Sequence, residues 1–297
     1  MNPPRPAVPF SAVALVVTAL LAAACSGSGG AATAPDEPPL GTVTTPSSAD
    51  EVELPLDPYL GVDVRDEVDT AIDRVVRDCM RKHGQRWSAV DYRGRIDELS
   101  ATDPYLFVSE EQARERGYRP DHDPIAKRME RAAPGRELDE AGEAVYVGGP
   151  GAPKGVPEGG CSAEGQRSVG APPAGDTTLP ETLANRAREQ AETDSRVEAA
   201  VRAWSACMRQ AGYRYRGPEN AAADPRWAGG GAAGPQETKA ARADVTCKAT
   251  SRLTGTWVAA QNAYQRKQIE RNRTALAPIL TWWREQERNA ERILEKD

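Results

Sequence analysis

Two segments of the chain carry apolar residues at every third or fourth position and resemble each other closely. Residues 74–87 read RVVRDCMRKHGQRW, and residues 202–215 read RAWSACMRQAGYRY. This spacing places the apolar side chains on one face of a helix. Gly84 and Gly212 stand where a helix end favours a left-handed residue, and basic residues occupy the turn before each of them. Each segment therefore predicts one helix that ends at its glycine and presents a cysteine from its buried face.

A much longer helical pattern runs from about Gln236 almost to the end of the chain. Gly255 and Pro278 are its weak points, and Pro278 is expected to kink or break the helix because it lacks an amide hydrogen. A shorter helix-prone stretch at 182–192 precedes Asp194 and Ser195, either of which can cap the next helix. The apolar stripe of the long helix contains Ala243, Leu253, Trp257, Ala260, Tyr264, Ile269, Leu280, Trp283 and Ile293.

The first residues of the chain have the pattern of an export signal. Thirteen residues from Ala12 to Ala24 are almost all apolar, which suits a signal-peptide core and falls short of the roughly 20 residues of a spanning helix. The residues LAAAC that end at Cys25 resemble a bacterial lipobox, although Ala22 stands where that signal has a bulky residue. The resemblance implies cleavage before Cys25 and attachment of lipid to this cysteine. An ordinary secretory signal, cut at the alanine-rich site, is the alternative.

Composition after Cys25 predicts a flexible tether, since the next residues are rich in Gly, Ser, Thr and Pro without an apolar period. The whole chain has 26 glycines and 24 prolines, and its aromatic content is only 5%. A mostly α fold with a small core and long irregular loops is therefore expected. The predicted organisation is a signal peptide at 1–24, a tether at 25–58, a first helical half at 59–170, a linker with a short helix at 171–194, and a second helical half at 195–297.

Four cysteines follow Cys25, and an even number in an exported chain predicts two disulfides. Four cysteines allow three pairings. Because a second cysteine follows each of the two similar helices, the parallel favours Cys79–Cys161 and Cys207–Cys247, one disulfide in each half. A metal site is disfavoured, since there is no Cys-X-X-Cys pair and the two histidines, His83 and His122, are not spaced as ligands.

Charge excludes one class of partner. Removal of residues 1–24 leaves 37 basic and 44 acidic side chains, a net charge of −7. A nucleic-acid partner would require a basic footprint. No phosphate loop, dinucleotide motif or nucleophile elbow occurs, so no cofactor and no catalytic residue is predicted.

Some side chains have both a structural and a functional interpretation. Arg81 and Arg209 follow the paired cysteines and have the chemistry to bind a carboxylate or phosphate, but a helix-end cation is the simpler interpretation. Trp282 and Trp283 mark either an exposed contact or one buried and one surface ring. His83 suits the end of its helix, and His122 suits a solvated turn.

Several stretches resemble a group of uncharacterised, actinobacterial secreted lipoproteins. The resemblance rests on the lipobox, the two CMxxxG-type helices, and the sequences YLFVSEEQARERGYRP (105–120), GGCSAEGQ (159–166) and ADVTCKATSRLTGTWVAAQNAYQRKQIERN (243–272). It implies no activity, ligand or functional residue. The expected function is that of a non-catalytic cell-envelope lipoprotein, anchored on the extracytoplasmic face of the membrane and acting through another envelope protein. A ligand-binding or sensing lipoprotein that serves a transporter is the alternative, and a peptidoglycan hydrolase is the third.

Overall fold

The computed structural model describes residues 37–94, 103–119, 125–149, 151–229 and 231–296. The predicted signal peptide, Cys25 and His122 lie outside these residues. Within them the chain forms helices and loops without a strand, which confirms the mostly α prediction. The α-helices are α1 (Asp57–Leu60), α2 (Arg65–Lys82), α3 (Glu110–Glu115), α4 (Ala126–Ala132), α5 (Glu140–Val147), α6 (Gly160–Val169), α7 (Leu179–Glu192), α8 (Ser195–Gln210), α9 (Pro218–Ala222), α10 (Pro235–Ser251) and α11 (Leu253–Leu294).

The two similar segments form α2 and α8, and both helices end in the same way. Gly84 and Gly212 adopt left-handed backbone angles, with φ of 77° and 92°. The amide that follows each glycine donates to a methionine carbonyl, from Gln85 to Met80 and from Tyr213 to Met208. These bonds satisfy carbonyls that a helix end would otherwise leave without a partner. Of the two capping candidates in the sequence, Asp194 and Ser195, it is Asp194 that caps the start of α8, by accepting a hydrogen bond from the Arg196 amide.

A disulfide links two packed helices in each half of the chain. Cys79 on α2 is joined to Cys161 on α6, and Cys207 on α8 is joined to Cys247 on α10. The Cα atoms are 5.5 Å apart in both pairs. α2 packs on α6, and α8 packs on α10, so each crosslink reinforces an existing helix contact. These are the two pairs that the parallel between the halves predicts.

The long C-terminal helix α11 joins the halves together. It packs against α2 and α6 of the first half and against α7 and α8. Its apolar stripe is buried against the rest of the molecule. Trp257 and Tyr264 belong to one core cluster, and Leu276 and Ile279 belong to another. The sequence analysis predicts two helical halves, each with its own disulfide. In the structure, residues 37–297 form one compact unit.

The breaks in the C-terminal helical run differ from those expected. The chain turns at Arg252, which has φ of 56°, rather than at Gly255. The long helix does have a kink, but it lies at Asn272, whose backbone angles are not helical (φ −118°, ψ 16°), one to two turns before Pro278; the helix is unbroken at the proline itself. The Asn272 side chain donates to the Gln268 carbonyl at 2.8 Å. Buried Leu276 and Ile279 hold the helix against the core on both sides of the proline, which explains how the helix tolerates Pro278.

The prediction of a tether at 25–58 is wrong for residues 37–58. We call residues 37–56 the strap, because they lie along the body. Leu56 is fully buried, and its amide donates to the Gln265 side chain at 2.9 Å. Glu37 accepts from the amide and hydroxyl of Ser195 at 2.7 and 2.8 Å. Where the strap crosses α11, a Cβ on Gly255 would lie 2.9 Å from the Thr45 hydroxyl oxygen and 3.0 Å from the Thr44 carbonyl oxygen, so a side chain there would push the strap away from the helix.

Candidate functional site

Several carboxylates are buried in the body, and three of them share one arrangement. Each accepts a hydrogen bond from a tryptophan indole and lies beside a cation. In the first half the carboxylate is Asp73, which is 6% exposed. It accepts from the Trp87 indole at 2.8 Å and from the Val90 amide at 2.6 Å. Arg136 donates to the same carboxylate and lies over the Trp87 ring, 4.6 Å from its centre.

The second carboxylate, Asp103, anchors the segment before α3 on the long helix. It accepts from the Trp257 indole at 3.2 Å and from Arg188 at 2.6 Å. The Tyr105 amide donates to its other oxygen at 2.9 Å. Burial is the main cause that raises the pKa of the Tyr105 hydroxyl far above its ordinary value, with nearby carboxylates adding to the shift. Asp103 thus connects α7, α11 and the segment that enters α3.

The third carboxylate, Asp244, is the most deeply buried. It accepts from the Trp204 indole at 2.8 Å and from the Lys248 ammonium at 2.9 Å. Asp244 is 0% exposed and Lys248 is 1% exposed. The Lys248 ammonium also donates to the Phe107 carbonyl at 3.2 Å. Burial raises the pKa of Asp244 and lowers that of Lys248, while the attraction between them opposes both shifts.

These three clusters are built for structure. Each carboxylate is occupied by an indole and a cation, so its lone pairs are engaged with fixed donors instead of a substrate. A buried charge without such partners would cost several kcal/mol. The arrangement explains why a chain with a small apolar core holds so many charges inside.

Two of the open grooves on the described surface contain charged side chains. One, of about 360 Å³, lies over the Cys207–Cys247 disulfide and is also lined by Glu110, Gln210, Arg242 and Thr246. Glu110 and Arg242 form an ion pair of 2.9 Å across α3 and α10. The other groove, of about 260 Å³, is lined by residues 88–91, Arg128, Arg131 and Ala132. Its Arg128 already donates to the carbonyls of Asp91 and Arg93.

The side chains singled out from the sequence have local roles in the structure. Arg81 pairs with Asp78 at 3.2 Å on the exposed face of α2, and Arg209 donates to the Ser205 hydroxyl at 3.1 Å. His83 is the last residue before Gly84 at the end of α2. These positions favour the structural interpretation of all three residues.

Trp282 and Trp283 differ from the expectation of one buried and one surface ring. Both are partly buried. The Trp282 indole donates to the Gly170 carbonyl at 3.3 Å, and that of Trp283 donates to the Tyr59 carbonyl at 2.9 Å. The two rings therefore fasten the segments around α1 and after α6 to the long helix, instead of forming an exposed contact.

Two further properties concern only the residues that the structure describes. In that part of the chain, no group of three or more His, Cys, Asp or Glu side chains is arranged to hold a metal ion. None of the helices described is both long and apolar enough to cross a bilayer.

No family model, curated protein or solved structure matches the chain. The resemblance to actinobacterial secreted lipoproteins therefore stays a prediction. Sequence reasoning missed the indole–carboxylate–cation clusters, because their members are far apart in the chain: Asp73 and Arg136 are separated by 63 residues. The pair Asp244 and Lys248, four residues apart on one helix, was the one signal present in the sequence.

Proposed function

We propose that this chain is a lipoprotein of the extracytoplasmic face of the cell membrane, and that it acts by contact with another envelope protein rather than by catalysis. The two disulfides carry the proposal, because such crosslinks form and persist in oxidising compartments. The apolar stretch before Cys25 supports export, and the lipobox-like residues support a lipid anchor.

The strap limits how far the body extends from this anchor. Cys25 and Glu37 are 12 positions apart, and even a fully extended segment of that length spans only about 40 Å. A tether reaching to residue 58 would span roughly 110 Å. The partner is therefore expected at the membrane surface or close above it, and a partner far out in the envelope is disfavoured.

The three indole–carboxylate–cation clusters support the non-catalytic part of the proposal. Asp73, Asp103 and Asp244 are each engaged by an indole and a cation, as an architectural role requires. The exposed charges are interspersed along the helices, which is the pattern of solvated helix faces.

The anchor is tested by a Cys25→Ser variant expressed in an envelope-forming host with a metabolically incorporated lipid label. The unchanged chain is expected to carry the label and to sediment with membranes. The variant is expected to lose both properties, while oxidised Cys79, Cys161, Cys207 and Cys247 show that it folds. A labelled or membrane-bound Cys25→Ser protein would contradict the proposed anchor.

The partner contact is tested by site-specific photocrosslinking in living cells. A photoreactive residue is placed at one exposed position at a time: Ala203 on α8, Thr250 on α10, or Ala275 and Thr281 on α11. A specific partner is expected to give one adduct at neighbouring positions and none on the opposite faces. The absence of adducts at every position, or the same adducts everywhere, would contradict a contact function. Release of peptidoglycan fragments by the purified chain would contradict the non-catalytic part.

A further inference from the structure

The two disulfides differ in their exposure to solvent. Cys79 and Cys161 are 6% and 0% exposed and belong to a core cluster with Val76, Met80 and Val145. Cys247 is 2% exposed, but Cys207 is only partly buried. The groove of about 360 Å³ opens directly onto this second pair. A molecule from solvent can therefore approach one disulfide and is blocked from the other.

We infer that Cys207–Cys247 is a thiol–disulfide exchange site, and that its substrate is a protein dithiol of the Cys-X-X-Cys type. The groove is shallow and open, so it admits the exposed cysteine loop of another protein. The attacking species is a thiolate, the reactive form of a cysteine. In the groove, Glu110 is ion-paired with Arg242 at 2.9 Å, so its carboxylate does not stand there as an uncompensated negative charge. The inference rests on the exposure of the disulfide and does not depend on the lipid anchor.

The reaction has two steps. A thiolate of the dithiol attacks Sγ of Cys207, which is the less buried residue of the pair, and the bond between Cys207 and Cys247 breaks. Cys247 leaves as a thiolate and takes up a proton. The second thiol of the dithiol, after losing its proton, then attacks its own partner sulfur in the mixed disulfide and releases Cys207. The dithiol is thereby oxidised to a disulfide, and the two cysteines of this chain are reduced.

Reduction would release the link between α8 and α10 while leaving the helices folded. The Trp204 indole still donates to Asp244 across the same pair of helices, and Met208 stays in the core beside them. Exchange would thus loosen the C-terminal end of α8, next to Gly212, without opening the first half.

The test is graded reduction of the purified, oxidised full chain with dithiothreitol under native conditions. Free cysteines are alkylated at intervals and assigned by peptide mass spectrometry, while circular dichroism follows the helices. Cys207 and Cys247 are expected to be alkylated at least about tenfold faster than Cys79 and Cys161, with the helical signal retained. Equal rates, faster opening of Cys79–Cys161, or opening only with loss of helix would overturn the inference.

A matched pair of variants separates the groove from general stability. Thr246 and Thr250 are both exposed on α10, and the hydroxyl of each donates to the carbonyl four residues earlier. Only Thr246 lines the groove. Thr246→Trp is expected to cover the disulfide and slow its reduction about tenfold, whereas Thr250→Trp leaves the rate unchanged. Equal effects of the two substitutions would overturn the role of the groove.

The substrate class is tested with a reduced thioredoxin whose second active-site cysteine is serine, so that the mixed disulfide is trapped. An adduct at Cys207 is expected, and it should be lost in Thr246→Trp but not in Thr250→Trp. An adduct at Cys79 or Cys161, or no adduct while dithiothreitol still opens Cys207–Cys247, would overturn a protein dithiol as the substrate.

Discussion

At the scale of single residues, the buried ion pair of Asp244 and Lys248 is the strongest constraint on the second half. Removing one member of such a pair leaves the other charge buried without compensation. Lys248→Met is therefore expected to reduce the free energy of unfolding by about 3–5 kcal/mol, measured by urea denaturation with the disulfides intact. The double variant Asp244→Asn with Lys248→Met removes both charges and keeps an oxygen for the Trp204 indole. The double variant should recover about 1–2 kcal/mol of that loss. No recovery would show that the loss does not come from the uncompensated charge of Asp244.

A second residue-scale prediction concerns pH. Burial would raise the pKa of Asp194, but the hydrogen bonds from the Arg196 side chain and amide outweigh it, so the pKa lies below its ordinary value of 3.8. The folded state then binds protons less readily than the unfolded chain. The resulting stability is present above about pH 3.8 and is lost as the pH falls below it. Asp194→Asn is expected to flatten the acid limb of a stability-against-pH curve, and an unchanged slope would contradict this.

The alkaline limb of the same stability-against-pH curve tests Tyr264, whose hydroxyl donates to Asp194. Burial and the neighbouring Asp194 raise the pKa of Tyr264 from 10.0 to about 12. A raised folded-state pKa stabilises the protein below pH 10, and this contribution is lost as the pH rises through about 12. Tyr264→Phe should remove this alkaline dependence and leave the acid limb less affected than Asp194→Asn does.

At the scale of elements, the equivalent ends of α2 and α8 offer a clean test of helix termination. A Cβ at Gly84 or Gly212 would meet no atom within 4 Å, so only the backbone resists a side chain there. Gly84→Ala and Gly212→Ala are each expected to cost about 1–2 kcal/mol, because both residues are left-handed. Chemical denaturation of the two variants measures this, and a neutral result at both positions would contradict the shared helix end.

Gly165 is the contrasting control for these helix ends, because it lies inside α6 with ordinary helical geometry. Its added Cβ would lie 2.8 Å from Val76 and 3.0 Å from the Ile72 carbonyl oxygen. Helix propensity favours alanine at this position by up to about 1 kcal/mol. The clash with α2 is expected to outweigh that gain, giving a net loss of about 1–3 kcal/mol. A stabilised Gly165→Ala protein would show that α2 and α6 separate easily.

At the scale of the whole molecule, the strap belongs to the folded body. A chain that begins at Glu37 is expected to unfold at the same denaturant concentration as a chain that begins at Ser26. A chain that begins at Asp57 loses buried Leu56 and the apolar residues Leu40 and Val52 that pack on the Trp257 cluster. It should be less stable by at least about 3 kcal/mol, as measured by urea unfolding. Equal stability of the chains that begin at Glu37 and Asp57 would show that residues 37–56 do not contribute to the folded body and would support the predicted tether there.

Local order in this protein follows from the sequence alone. The spacing of apolar residues predicts α2, α8 and the C-terminal helical run, and the glycines predict where α2 and α8 end. The parallel between the halves points to Cys79–Cys161 and Cys207–Cys247, the pairs that the structure joins. Each of these inferences uses residues within a few turns of one another, or two copies of one motif, so local physics is sufficient.

The tertiary structure alone decided the extent of the strap, the partners of the buried carboxylates and the exposure of the second disulfide. Leu40, Val52 and Leu56 are too scattered among prolines and polar residues to show a period. Leu56 joins the core, and Leu40 and Val52 pack against it, only because the folded body offers them an apolar surface. Trp257 reaches Asp103 across 154 positions of the chain. Such contacts depend on how helices pack, and packing brings together residues whose separation in the sequence carries no signal.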